Sequence, residues 1–157
     1  MTWRGTTTPA DRFFGAIAYL MPLVEGLSFG FPLMMKLPIL AIVLSPLGPL
    51  WQIYTGIPFL GLILFFALYM LVVNNPSISH FIRFNVMQAI LIGIVIALCS
   101  LVITFVLRPV GGFVVETLST TVFLGVLVAS FYSVVQSALG RYAEIPSLSE
   151  AVYMRVR

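Results

Sequence analysis

The sequence predicts an all-α integral membrane protein with four transmembrane helices and a Pro-rich interfacial or re-entrant segment between the first two. Three observations carry this. Of 157 residues, 61% are hydrophobic and only 8% are charged, against about 25% charged residues in an ordinary soluble domain. A chain this small has much surface for its volume, so a water-facing exterior would need far more polar residues. Four apolar stretches approach the roughly 17–25 residues that cross about 30 Å of hydrocarbon. The basic residues, finally, are scattered between those stretches and near the termini, where positive charge sets orientation.

The first span is expected over about residues 13–33, interrupted by Pro22, Glu25, Gly26 and Gly30. Residues 57–73 are cleaner, carrying no charge and ending at Asn74, Asn75 and Pro76, polar punctuation before a helix breaker. The third span covers 84–107. The fourth covers about 117–139, with Glu116, beside Gly111 and Gly112, favouring the helix N-terminus. The tail over 140–157 is too short and polar to cross. Ser147 and Glu150 stand at capping-box spacing, which predicts a short helix after Ser147. Val152 and Tyr153 are expected at the membrane surface, with Arg155 and Arg157 toward anionic headgroups. No internal repeat or soluble domain interrupts 1–157, which reads as a single polytopic domain.

Residues 37–54 are apolar but carry Pro38, Pro46 and Pro49, and charge counting arbitrates their place. With four spans, one side holds Arg4, Arg12, Arg83, Arg141, Arg155 and Arg157, and the other Lys36 and Arg108, six against two. A fifth span over 37–54 makes it three against five, with Arg4, Arg12 and Arg108 alone on their side. The positive-inside rule favours four spans with both termini cytoplasmic or stromal. The Pro-rich segment then belongs to the far side, with Trp51 and Tyr54 expected as headgroup-level anchors.

Glu25 has two readings. An acid inside an apolar stretch is costly unless paired, protonated or exposed to a cavity; alternatively Pro22 and Gly26 end the helix and leave it at the interface. Asn85 and Gln88, three positions apart, share a face near the start of the third span, where amides glue helices together or line a polar path. Arg83 precedes them at the expected headgroup level. Small residues recur at four-residue spacing: Gly26 and Gly30; Ala89, Gly93 and Ala97; and Thr121, Gly125, Ala129, Ser133 and Ser137. Such ridges let helices approach closely.

The net charge of +3 forms no stripe for phosphate contacts, so nucleic acid is not an expected partner. Cys99 is the single cysteine and His80 the single histidine; the first reads as a packing residue and the second as a solvated loop residue, so no metal or other cofactor is expected. No phosphate loop, HExxH or nucleophile elbow is present, and the chain reads as non-enzymatic. Too few residues separate Arg12 from the A-x-A pattern of Ala16 and Ala18 for a secretory signal. No Ser- and Arg-rich import extension precedes the first span either.

Three blocks resemble a known family. Tyr19, Pro22, Leu23, Glu25, Gly26, Leu27 and Gly30 are similar to the first-helix signature of the Tic20 family, the twenty-kilodalton membrane subunit of the protein translocon in the chloroplast inner envelope. Asn75 to Ala89, reading NPSISHFIRFNVMQA, resembles the family's most recognisable block, and Tyr132, Ser133, Val134, Gly140 and Pro146 to Tyr153 form a third. The resemblance covers about residues 12–155. Two positions depart from it: Arg would be expected at Asn74 and an acidic residue at Gly93.

The resemblance implies a four-helix translocon subunit of cyanobacterial or plastid-encoded type. Its place would be the bacterial plasma membrane or the plastid inner envelope, in an oligomer or larger complex. Its partners would be membrane lipids, other translocon subunits and polypeptide cargo, with Glu25, Arg83, Asn85 and Gln88 as candidate path or partner-contact residues. A membrane scaffold that docks other subunits without conducting is the alternative.

Overall fold

The computed structural model of the chain describes residues 6–156; Arg4 and Arg157, both used in the charge count, lie outside the described residues. Eight α-helices and no strands occur among the described residues. Helix α1 spans Pro9–Ile17. Thr8 caps it, taking a bond from Asp11 N at 3.1 Å and returning its own N–H to Asp11 Oδ2 at 2.9 Å, so two orphan donors are satisfied reciprocally. Helix α2, Leu20–Lys36, follows after a break at Ala18 and Tyr19. Pro22 accounts for the break, because it has no N–H and its ring displaces the carbonyl four residues back. The two helices form one apolar stretch of 28 residues.

The Pro-rich segment is helical in three pieces: α3 (Pro38–Leu44), a 3₁₀ turn (Ser45–Leu47) and α4 (Gly48–Gly56). Each proline stands in the first turn of its piece, where an N–H would have no intrahelical partner and its loss costs little. Helix α5, Leu60–Leu68, widens into a π-helical turn at Tyr69–Val73. Helix α6, His80–Leu101, does the same at Val102–Leu107. Helix α7 is Gly112–Ala138 and α8 is Leu148–Arg155.

Four stretches are long and apolar enough to cross a membrane: Pro9–Lys36, Pro38–Gly56, His80–Leu107 and Gly112–Ala138. Leu60–Val73 is shorter, about 21 Å at 1.5 Å per residue. Side-chain contacts explain how it is supplemented. From the Lys36 end, α3 and α4 run back along α2, with Trp51 Nε1 donating to Ser28 Oγ at 3.1 Å and its ring edge-on to Phe31 at 5.3 Å. Tyr54 reaches Glu25, and from there α5 continues to Asn74. Residues 38–56 thus run back along α2, and Trp51 and Tyr54 both reach side chains of that helix.

The two ends of the bundle are distinct. At one, Ser79 Oγ donates to Asp11 Oδ1 at 2.7 Å, and the His80 ring lies 3.0 Å from the Tyr142 hydroxyl and 3.1 Å from the Val156 carbonyl. Arg155 bonds Tyr69 and Asn74 Oδ1. The start of α1, the 74–79 loop and the tail therefore meet. At the other end Lys36 pairs with Glu116.

The tail departs from its expected surface position. Val152 is fully buried with Val73, Phe84 and Ile90, Tyr153 bonds Glu144, and Arg155 is engaged by α5. Helix α8 begins where expected, but Ser147 adopts φ +68° and its side chain makes no cap, so the capping-box expectation fails there. His80 is not a solvated loop residue but the pin between α6 and the tail.

Helices α2 and α7 form the tightest contact. A Cβ on Gly26 would stand 2.8 Å from Val126 Cγ1, and one on Gly30 2.6 Å from the Phe123 ring. Around this seam lie Leu27, Phe29, Ala89, Ile92 and Ile96. The exterior is apolar, with Met35, Phe59, Phe105 and Phe113 all more than 70% exposed, a surface suited to lipid and costly in water.

Candidate functional site

The polar residues of the third span turn inward. Asn85 and Gln88 are both fully buried, since amides facing hydrocarbon would lose water without gaining partners. Asn85 Oδ1 accepts from the Tyr19 hydroxyl and from Ser137 Oγ, each at 2.8 Å, while Asn85 Nδ2 donates to the Phe81 carbonyl at 2.9 Å. Gln88 Nε2 donates to the Tyr19 hydroxyl at 3.0 Å and to the Ala143 carbonyl at 2.7 Å. The network therefore ties the α1–α2 junction, α6, α7 and the start of the tail into one unit. Gly15 permits it, because a Cβ there would meet Phe81 and Asn85 at 2.9 and 3.0 Å.

Arg83 lies at the entrance to the same helix and donates from Nε to the Val73 carbonyl at 2.8 Å. A cation there satisfies an orphan carbonyl at the end of α5 and opposes the helix dipole favourably. It clamps the α5–α6 connection about one turn outside the amide network.

Glu25 belongs to a separate place. Helix α2 runs unbroken through Pro22 and Gly26, so the second reading of this residue, at the interface beyond a helix end, does not hold. Its Oε2 lies 3.2 Å from where a Gly93 Cβ would stand, halfway along the stretch His80–Leu107, and Tyr54 donates a hydrogen bond to it. Beside the carboxyl opens a cavity of about 380 Å³ between α4, α5 and α6. The structure thus brings Asn85 and Gln88 together, leaves Arg83 at their edge and sets Glu25 apart.

The small-residue ridges divide in the same way. Gly26, Gly30 and Ala89 pack in the core, Gly93 receives Glu25, and Ser133 is buried at the α7 face of the amide network. Ala97 borders the cavity. A Cβ on Gly125 would meet nothing within 4 Å, so that ridge is open there, while the half-buried Ala129 packs at the edge of the core.

Sequence reasoning did not single out Tyr19 or Tyr54 as site residues, although each supplies the hydroxyl that organises its polar centre. The available signal was a tyrosine set among apolar residues beside a helix break, which needs a buried partner for its hydroxyl. Ser137, noted only as part of a ridge, is one of the donors to Asn85.

The fixed donors and acceptors of the network are directed mostly at one another, an arrangement that holds helices together. The acid beside a cavity is the part able to meet an outside group. Comparison with known proteins gives this architecture its relatives. A protein-family model described as "Chloroplast import apparatus Tic20-like" matches residues 9–152. A Tic20 family protein of Synechocystis sp. is 48% identical, over 100% of this chain and 99% of its own. Protein TIC 20-II, chloroplastic, of Arabidopsis thaliana is 33% identical over 93% of this chain and 73% of its own. The Tic20 family protein Ycf60 of Gracilaria tenuistipitata var. liui is 36% identical over 95% and 76%. With an all-helical body, four stretches able to cross a membrane and a match over nearly its whole length, the chain belongs to the Tic20 family.

Proposed function

We propose that this chain is a non-enzymatic membrane subunit of a protein translocon, and that the protein-conducting path runs along its surface, between it and other subunits. The family's description as a chloroplast import apparatus supports the import role, and the chloroplast relatives support a plastid setting for the family. The observation that carries the route is the closed interior: Asn85, Gln88 and Tyr19 are fully buried and bonded to one another. The described residues of the bundle enclose no polar lumen, so a lining must be completed by further copies or partners. In this arrangement residues 9–36, the pair 38–56 and 60–73 acting in series, 80–107 and 112–138 make four crossings. Both termini face the cytoplasm or stroma, as the charge count favours.

Reconstitution tests the proposal. The purified chain alone should leave vesicles sealed, and vesicles also holding its membrane partners should pass cargo that crosslinks to lipid-facing or groove positions of this chain, not to Asn85 or Gln88. Reproducible conductance by the chain alone would refute the closed-body route. Cargo that passes yet crosslinks only to partners would favour the scaffold reading, which the buried interior network also suits.

A further inference from the structure

We propose that the cavity over Glu25 binds an amphiphile carrying one ammonium head on an apolar body, entering sideways from the bilayer. The cavity, about 380 Å³, is walled by Met21, Phe65 and Ile90, with Glu25, Tyr54 and Gly93 at its floor. Its volume lies within the range of ordinary small-molecule sites. Leu62 and Ile94 form part of its rim and are both exposed. Ile94 sits halfway along the stretch His80–Leu107 and Leu62 in the first turn of α5, both on the exposed apolar side of the bundle, so the opening faces hydrocarbon.

The chemistry of the floor selects the head group. A carboxylate has about four acceptor positions, and Tyr54 fills one of them. No Lys, Arg or His lines the cavity among the described residues, so this acid has no cation of its own. An anion would be repelled, and an alcohol would gain one neutral hydrogen bond. An ammonium gains a charge-assisted bond of about twice that strength, with the Tyr54 and Phe65 rings beside it to favour a cation further. A metal ion is poorly served, because no group of three ligating side chains occurs among the described residues. The apolar walls then accept the tail. This site is separate from the amide network and does not depend on passage of cargo.

The test uses the full-length protein in nanodiscs of zwitterionic phospholipid, with dodecylamine as probe and dodecanol as its uncharged counterpart. Dicyclohexylcarbodiimide, itself membrane-soluble, reports on the carboxyl. The acid oxygen adds to the carbodiimide carbon and the acid proton moves to nitrogen, giving an adduct that mass spectrometry locates and counts together with any dodecylamide formed when the amine attacks the acyl carbon and dicyclohexylurea leaves. Glu25 should be modified, and dodecylamine should slow that modification about tenfold relative to Glu116, the worth of one charge-assisted pair. Dodecanol should have little effect. Dodecylamine should also raise the melting temperature of the parent protein but not of Glu25→Gln, which keeps an acceptor for Tyr54, nor of Ala97→Leu, which fills the cavity and leaves the acid. Equal protection by dodecanol, an unmodified Glu25 beside a modified Glu116, or an undiminished response of Glu25→Gln would each overturn the proposal.

Discussion

Replacing Asn85 by Leu tests whether the amide network holds the bundle together. Three hydrogen bonds involve the Asn85 side chain, but their losses differ. The Phe81 carbonyl lies within α6 and keeps its helical bond, and Ser137 can rotate toward a carbonyl of its own helix. The Tyr19 hydroxyl is held by a rigid ring and can turn only toward Ser133 Oγ, so the loss of its bond to Asn85 dominates, at about 1–2 kcal/mol. Misfit of a branched side chain adds to this, for about 2 kcal/mol in all. Tyr19→Phe removes the same bond from the other side and should cost about 1 kcal/mol. The double variant should therefore cost about 1 kcal/mol less than the sum, near the upper part of the range measured for hydrogen bonds between membrane helices. The assay is equilibrium unfolding in mixed micelles for all four proteins, with helix content checked first. Costs that add to within about 0.3 kcal/mol would refute the reasoning, because uncoupled residues cannot share that bond. Asn85 would then be free to meet another molecule.

Gly30→Ala should lower the melting temperature by several degrees, since its Cβ would strike the Phe123 ring, whereas Gly125→Ala, with open space around it, should be neutral or slightly stabilising through helix propensity; equal effects on thermal unfolding would contradict the α2–α7 seam. His80→Ala removes contacts to Tyr142 and Val156, so hydrogen exchange of the amides over 148–155 should accelerate about tenfold while α7 is unchanged; uniform protection would mean that the tail docks without His80. In a Cys99→Ala background, single cysteines at the exposed positions Thr6 and Glu150 should label from one face of sealed vesicles and Val110 from the other. Labelling of Thr6 and Glu150 from opposite faces would exclude the four-crossing arrangement.

Hydropathy and spacing made the helices legible, along with the inward face of Asn85 and Gln88, because a helix turns a linear interval into a shared face. The same rule placed Gly26 and Gly30 on one line, and they do meet neighbouring residues of α7, Val126 and Phe123. It could not say which face finds a neighbour: Gly125 belongs to the most regular ridge and yet stands open. Proline marked the segment but not its helical content. Pro38, Pro46 and Pro49 set apart the interrupted stretch between the first two spans, and each stands in the first turn of one of its pieces, because a proline in the first turn starts a helix as readily as one in the middle ends it. The tail was misplaced for another reason. Its anchors, His80 to Val156 and Arg155 to Asn74, join residues more than seventy positions apart, and no local pattern encodes such pairs.

Gly93 shows how one missing side chain ties the two kinds of information together. The family resemblance leads one to expect an acid at this position, and the chain has none there. In the fold, the carboxyl of Glu25 comes from α2 to the spot where a side chain at 93 would begin. A second carboxylate on Gly93 would crowd the first in apolar surroundings, where two like charges cannot both remain ionised. The glycine is therefore the complement of Glu25: it gives the acid room to lie against α6 and turn toward Tyr54, and it leaves a single carboxyl group beside the cavity. A departure from the expected pattern, meaningless in the sequence alone, becomes in three dimensions the reason that this member keeps one intramembrane acid and a space beside it.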